Sequence, residues 1–140
     1  MKKYITKKTV LAEPMDELTA EQLGYARPNE DNHEWRQGYH VLYPDGYHSW
    51  CPKTQFEASS QPAETFIDRL NIEYNELFER KMKLIDFMAT KDFEEIPVIH
   101  KMKLERQKVI MDMYCETLQS RIGLFEYEKS HYNLKTQTPE

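Results

Sequence analysis

Near Pro62 the apolar residues change their rhythm, and this change constrains the fold more than any other feature of the chain. Beyond it Phe66, Leu70, Tyr74, Leu77, Leu84 and Met88 recur at three-, four- or seven-residue steps, flanked by Ile67, Phe78 and Ile85. That spacing places them on one side of an amphipathic helix. Ser60 or Thr65 supplies an N-cap, and the helix is expected to run to about Thr90. Residues from Thr90 to Pro97 make a turn, because Pro97 suits the first turn of a second helix. That helix carries Ile99, Met102, Val109, Met113, Leu118, Ile122 and Phe125. Two such helices on a short connection form an antiparallel hairpin.

Before Pro62 the chain reads differently. Three of its four glycines, Gly24, Gly38 and Gly46, lie there with both tryptophans, Trp35 and Trp50. Residues 4 to 12 are β-branched and free of breakers until Pro14, which predicts a strand. Asp16 to Leu23 predicts a short helix, with Asp16 or Thr19 at its N-cap and Gly24 as its stop. Arg27 to Gln37 is polar and reads as a loop. In Tyr43-Pro-Asp-Gly-Tyr47, proline presets the first turn position and Gly46 accepts a positive φ, so residues 38 to 52 predict a β-hairpin. If Tyr43 pairs with Tyr47, Val41 faces Ser49 and Tyr39 faces Cys51. His40, Leu42, His48 and Trp50 then share the opposite face. Either one face is core and the other an aromatic surface, or both are covered. Lys53 to Glu57 is expected to turn helically around Phe56.

The fold class that follows is α+β: a small N-terminal antiparallel sheet with a β-hairpin, then a long antiparallel two-helix hairpin. The segments are a β-rich head over 1–60, the helical hairpin over 61–128 and a flexible tail over 129–140. A helix pair of this length carries more apolar stripe than a small head can cover, so self-association into a homo-oligomer is expected.

Composition narrows the function. With 24 acidic and 19 basic side chains the chain carries a net charge of −5, which opposes non-specific binding to nucleic acid and favours a partner with a basic face. No apolar run approaches the roughly 20 residues of a membrane span. The basic N-terminus leads into mixed polar sequence rather than a signal core, so the expected location is the cytoplasm of a bacterial host. Cys51 and Cys115 have neither zinc-ligand nor disulfide-framework spacing. Among the histidines only His40 and His48 are placed to meet, and a metal would need a further ligand from Glu34, Asp45 or Glu57. The carboxylates Asp92, Glu94, Glu95, Glu126 and Glu128 read as solvated helix ends. No phosphate loop, dinucleotide fingerprint, nucleophile elbow or zinc-protease motif is present. The expectation is therefore no catalytic residues, no metal, no cofactor and no enzyme.

Binding is the remaining class. Aromatics are dense between Trp35 and Phe56, and tyrosine and tryptophan make good contact anchors. The candidate partner-binding residues are Tyr39, Tyr43, Asp45, Tyr47, His48, Trp50 and Lys53. Arg69, Arg80, Lys81, Lys83, Arg106, Lys108 and Arg121 mix with acidic neighbours and read as a solvated face, and a second candidate is a nucleotide groove between protomers lined by a subset of them, because guanidinium groups hold phosphate in a bidentate manner.

The motif Gly38-Tyr39-x-Val41-x-Tyr43-x-Asp45-Gly46-Tyr47-x-Ser49-Trp50-x-Pro52-Lys53-x-x-Phe56-Glu57 resembles a family of small phage and prophage accessory proteins of gut Bacteroidales. The opening Lys2 to Met15, Phe66-x-Asp68-Arg69-Leu70-x-x-Glu73 and Tyr114-x-x-x-Leu118-x-x-Arg121-Ile122 extend the likeness over nearly the whole chain. The family is similar to type II-A anti-CRISPR proteins. The resemblance implies a phage-encoded, non-enzymatic anti-defence protein that inhibits a host immune effector, a Cas9-type nuclease first among them. The alternatives are an oligomeric sponge for a cyclic nucleotide immune signal, and a virion or replication accessory protein.

Overall fold

A computed structural model describes the backbone of residues 1–136, with side chains as far as His131. The architecture is α+β, and the chain forms two compact units, Met1–Ser60 and Gln61–Glu140.

The first unit is a three-stranded antiparallel sheet in the order β1 (Leu11–Asp16), β2 (Gln37–Leu42) and β3 (His48–Pro52), with two short helices, α1 (Glu17–Gln22) and α2 (Lys53–Ser59). Tyr43 N donates to Tyr47 O and Gly46 N to Tyr43 O, both at 2.9 Å, which closes the turn with Gly46 at φ +86°. Val41 pairs with Ser49 and Tyr39 with Cys51, the register that the turn chemistry demands. Alternation along β2 therefore sends Tyr39 and Val41 to one face and His40 and Leu42 to the other. Both faces are covered. On the first, Phe56 of α2 stacks on Tyr39 with ring centroids 4.3 Å apart, and Val41 is 3% exposed. On the second, Tyr25 lies flat on His40, 4.2 Å away and 5° from parallel, and also on His48.

The first strand differs from the expected one. It occupies Leu11–Asp16 instead of residues 4 to 12, because Leu11 pairs with Leu42, the last residue of β2. Residues before Leu11 have run past the end of their partner strand. Pro14 lies inside the strand, opposite Tyr39. An edge strand tolerates it, since one of its sides needs no N–H donors. At the strand's end Asp16 caps α1, accepting Thr19 N through Oδ1 and Thr19 Oγ1 through Oδ2, both at 2.8 Å.

The second unit holds α3 (Phe66–Met88), a single turn α4 (Lys91–Glu95) and α5 (Val98–Thr136). Thr65 starts α3 with a capping box, accepting Asp68 N while Asp68 accepts Thr65 N. Thr90 caps α4, so the stretch read as a plain turn contains a helical turn of its own. The expected tail over 129–140 begins inside α5. Residues 129–136 continue the helix, as no glycine or proline follows Gly123 before Pro139, and residues 137–140 lie outside the described ones.

α3 and α5 pack against each other along a seam containing Leu70, Met111, Cys115 and Leu118, the last with no exposed surface. On α5, Leu104, Met111, Cys115, Leu118 and Ile122 fall at seven-, four- and three-residue steps and form the inner face. Ile99, Met102, Val109 and Met113, expected in the same stripe as Leu118 and Ile122, point the other way. With Leu124 and Tyr127 they form an outer row in which each residue is 55% to 62% exposed. The single stripe expected on this helix is thus two, on opposite faces. Periodicity merges them because both repeat at helical spacing.

Candidate functional site

The β-hairpin residues chosen from sequence divide into internally engaged and outward groups. The Tyr39 hydroxyl donates to Glu57 Oε1 at 2.9 Å, and that bond raises the hydroxyl's pKa above its ordinary value. Trp50 Nε1 donates to Met15 O at 2.8 Å, and Arg36 lies over its ring. Both rings serve the unit's own packing. Tyr43 is half-buried, tilted against Tyr47 at 5.9 Å and covered by the Lys8 ammonium. Tyr47, Asp45, His48 and Lys53 remain exposed, although Asp45 accepts Tyr47 N to stiffen the turn. Beside them Thr9, Val10 and Leu11 face Leu42, Tyr43, Pro44 and Gly46 across a shallow apolar hollow of about 390 Å³.

Glu13, His40 and His48 form a hydrogen-bonded row. His40 Nδ1 is 2.9 Å from Glu13 Oε1, and His40 Nε2 is 2.8 Å from His48 Nδ1. Glu13 accepts only, so a neutral His40 donates from Nδ1 and takes the His48 N–H at Nε2. Tyr25 roofs the pair. The row holds strands β1, β2 and β3 together, and among the described residues no group of three or more His, Cys, Asp or Glu could hold a metal ion.

A buried charge cluster was missed by sequence reasoning. Glu17, 4% exposed, takes Arg36 Nη2 on Oε1 at 2.7 Å and Arg36 Nε on Oε2 at 3.1 Å. The Arg36 backbone N–H and His33 Nε2 complete its shell. The Arg36 bonds pull the Glu17 pKa down to about 2. The cluster pins the loop that precedes β2, and it is structural in what it does. Glu17 looks like an ordinary first-turn acid, and nothing local shows that the chain returns with an arginine.

In the helical unit the basic side chains also divide. Lys81 and Lys108 both meet Asp112, at 3.1 and 3.4 Å, and Lys83 meets Glu79. Lys81 is the largest cause of Asp112's lowered pKa. Tyr74 accepts Gln119 Nε2 at 2.8 Å, and Tyr114 donates to Glu73, so polar bonds flank the α3–α5 seam. Among the described residues Arg69, Arg80, Arg106 and Arg121 meet no carboxylate within salt-bridge distance. Arg121 lies over the Phe66 ring at 5.8 Å, and Phe66 meets Phe125 at 6.1 Å. No helix of the described residues is long and apolar enough to cross a membrane.

The Sequestin family model matches residues 64–124, a span that begins just before the Thr65 cap and covers α3, α4 and most of α5. No curated protein and no solved structure matches the chain.

Proposed function

We propose that the protein is an anti-defence sponge that sequesters a cyclic nucleotide immune signal of its host through the helical hairpin, binding the ligand without converting it. The observation that carries this reading is the Sequestin match over residues 64–124, which covers much of the helical hairpin and leaves the β-hairpin motif outside it. The family's description fits a protein that holds a ligand away from its receptor. Nothing comparable supports a nuclease as the target.

The helical unit supplies side chains suited to this task. Arg69 and Arg121, which meet no carboxylate among the described residues, offer planar, permanently charged forks for phosphate, and Phe66 and Phe125 offer partly exposed rings for bases. The outer row of α5, from Ile99 to Tyr127, runs for about 42 Å at 1.5 Å per residue. Apolar faces of this length are commonly closed by self-association, and a second copy of the hairpin makes the sponge an oligomer.

Thermal-shift measurement against cyclic mononucleotides and cyclic dinucleotides tests the reading. A saturable rise in melting temperature with at least one of them is expected, since a ligand bound only by the folded state stabilises it. A flat response across the panel removes the reading.

A further inference from the structure

We infer that Phe66, Arg69, Arg121 and Phe125 form the ligand patch of the helical hairpin, taking a nucleotide whose base stacks on the phenyl rings and whose phosphate meets the guanidinium groups. The inference rests on the sequestration reading and locates it.

Both phenylalanines belong to stripes that sequence periodicity assigns to the core, yet Phe66 is 49% and Phe125 38% exposed. They meet each other across the two helices at 6.1 Å, with planes 54° apart. Arg121, one turn before Phe125 on α5, lies over Phe66 at 5.8 Å, and Arg69 stands one turn after Phe66 on α3. A guanidinium held over a ring face by cation–π attraction keeps N–H donors available, and a phosphate can take two hydrogen bonds from them.

Among the described residues the side chains of Arg69 and Arg121 meet no carboxylate, and Arg69 Nη1 donates to the Glu64 carbonyl oxygen at 3.3 Å. The acid beside them, Asp68, is held on Thr65 N at 2.9 Å by the capping box. The α3 N-terminus is thereby closed by its own side chains, so the free positive charge comes from the two arginines. Rings that stack without regard to base identity, beside cations that meet phosphate, make the combination that binds nucleotides in general. Elsewhere on this unit the pairing is incomplete: Lys81 lies over Phe78 but is bound to Asp112, and Lys101 lies over Phe93 but is bound to the Glu94 carbonyl.

Calorimetric titration with cyclic mononucleotides and cyclic dinucleotides carrying adenine, guanine or uracil tests the patch on the full chain. Arg121→Lys keeps the charge and removes the planar fork, and Phe66→Leu keeps apolar volume and removes the stacking face. Each is expected to weaken binding by roughly tenfold or more, with circular dichroism unchanged, while Lys103→Ala, at an exposed position of α5 outside the patch, binds like the wild type. Wild-type affinity in both Arg121→Lys and Phe66→Leu overturns the patch and leaves sequestration standing at another site. A wild-type protein that binds no member of the panel overturns both.

Discussion

Glu17 and Arg36, 19 positions apart, meet through both carboxylate oxygens, with the Glu17 side chain 5% exposed. Arg36 is 51% exposed, so the charge left by removing Glu17 stays hydrated and the cost is that of the charge-assisted hydrogen bonds, roughly 1.5–3 kcal/mol. Glu17→Gln should lower the stability of the first unit by an amount in that range, read by chemical denaturation followed through the fluorescence of Trp35 and Trp50, both in this unit.

The same carboxylate sets an acid limit. Its folded-state pKa of about 2 lies below the ordinary 4.5, so its stabilisation is fully present above about pH 4.5 and is lost as pH falls toward 2. The contribution amounts to about 3 kcal/mol, at 1.36 kcal/mol for each pH unit of difference. Denaturation midpoints measured across this window should fall for the wild type and change less for Glu17→Gln.

Gly38 is required by its neighbours. A Cβ built there would stand 2.5 Å from Trp50 Cζ2 and would also collide with the Cys51 carbonyl oxygen. Backbone cannot yield as a flexible side chain does, so Gly38→Ala should cost about 1–3 kcal/mol and weaken the near-ultraviolet signal of Trp50.

The outer face of α5 predicts assembly. Light scattering should show a dimer or larger species for the wild type. Val109→Glu with Met113→Glu places two charges on outward positions that are 55% and 62% exposed, which should yield monomers with unchanged helicity. A monodisperse wild-type monomer contradicts the role given to this face.

Thr65 lies at the second position of the matched segment and caps its first helix. Thr65→Ala removes the oxygen that accepts Asp68 N at 3.1 Å, and about 1 kcal/mol of stability should go with it. Thermal melting of the helical signal measures the loss.

Local chemistry made much of this fold legible in the sequence. The Tyr43-Pro-Asp-Gly-Tyr47 turn set the register of β2 and β3, and Asp16, Thr65 and Pro97 marked helix starts within a residue or two. What depended on distant partners was not legible. The first strand shifted because its position is set by where β2 ends, and the Glu17–Arg36 pair closes over a loop with no periodic signal. On α5 two apolar faces share one helical spacing, so pattern alone could not separate Leu118, which is buried, from Met113, which is exposed. The candidate hairpin residues were chosen for aromatic density, but Tyr39 and Trp50 are occupied by Glu57 and Met15. The Phe66–Arg121 contact needs the two helices brought together before it exists.

Sequestration makes a demand that neither inhibition by protein contact nor catalysis meets: the ligand must be held tightly and returned unchanged. The direct measurement is to incubate the protein with a cyclic nucleotide that shifts its melting temperature, remove free ligand by filtration, denature the protein and analyse what is released by chromatography. The account predicts release of the intact cyclic nucleotide in a fixed ratio to protein chains. Release of a linearised or otherwise converted product, or no retained nucleotide at all, would contradict it.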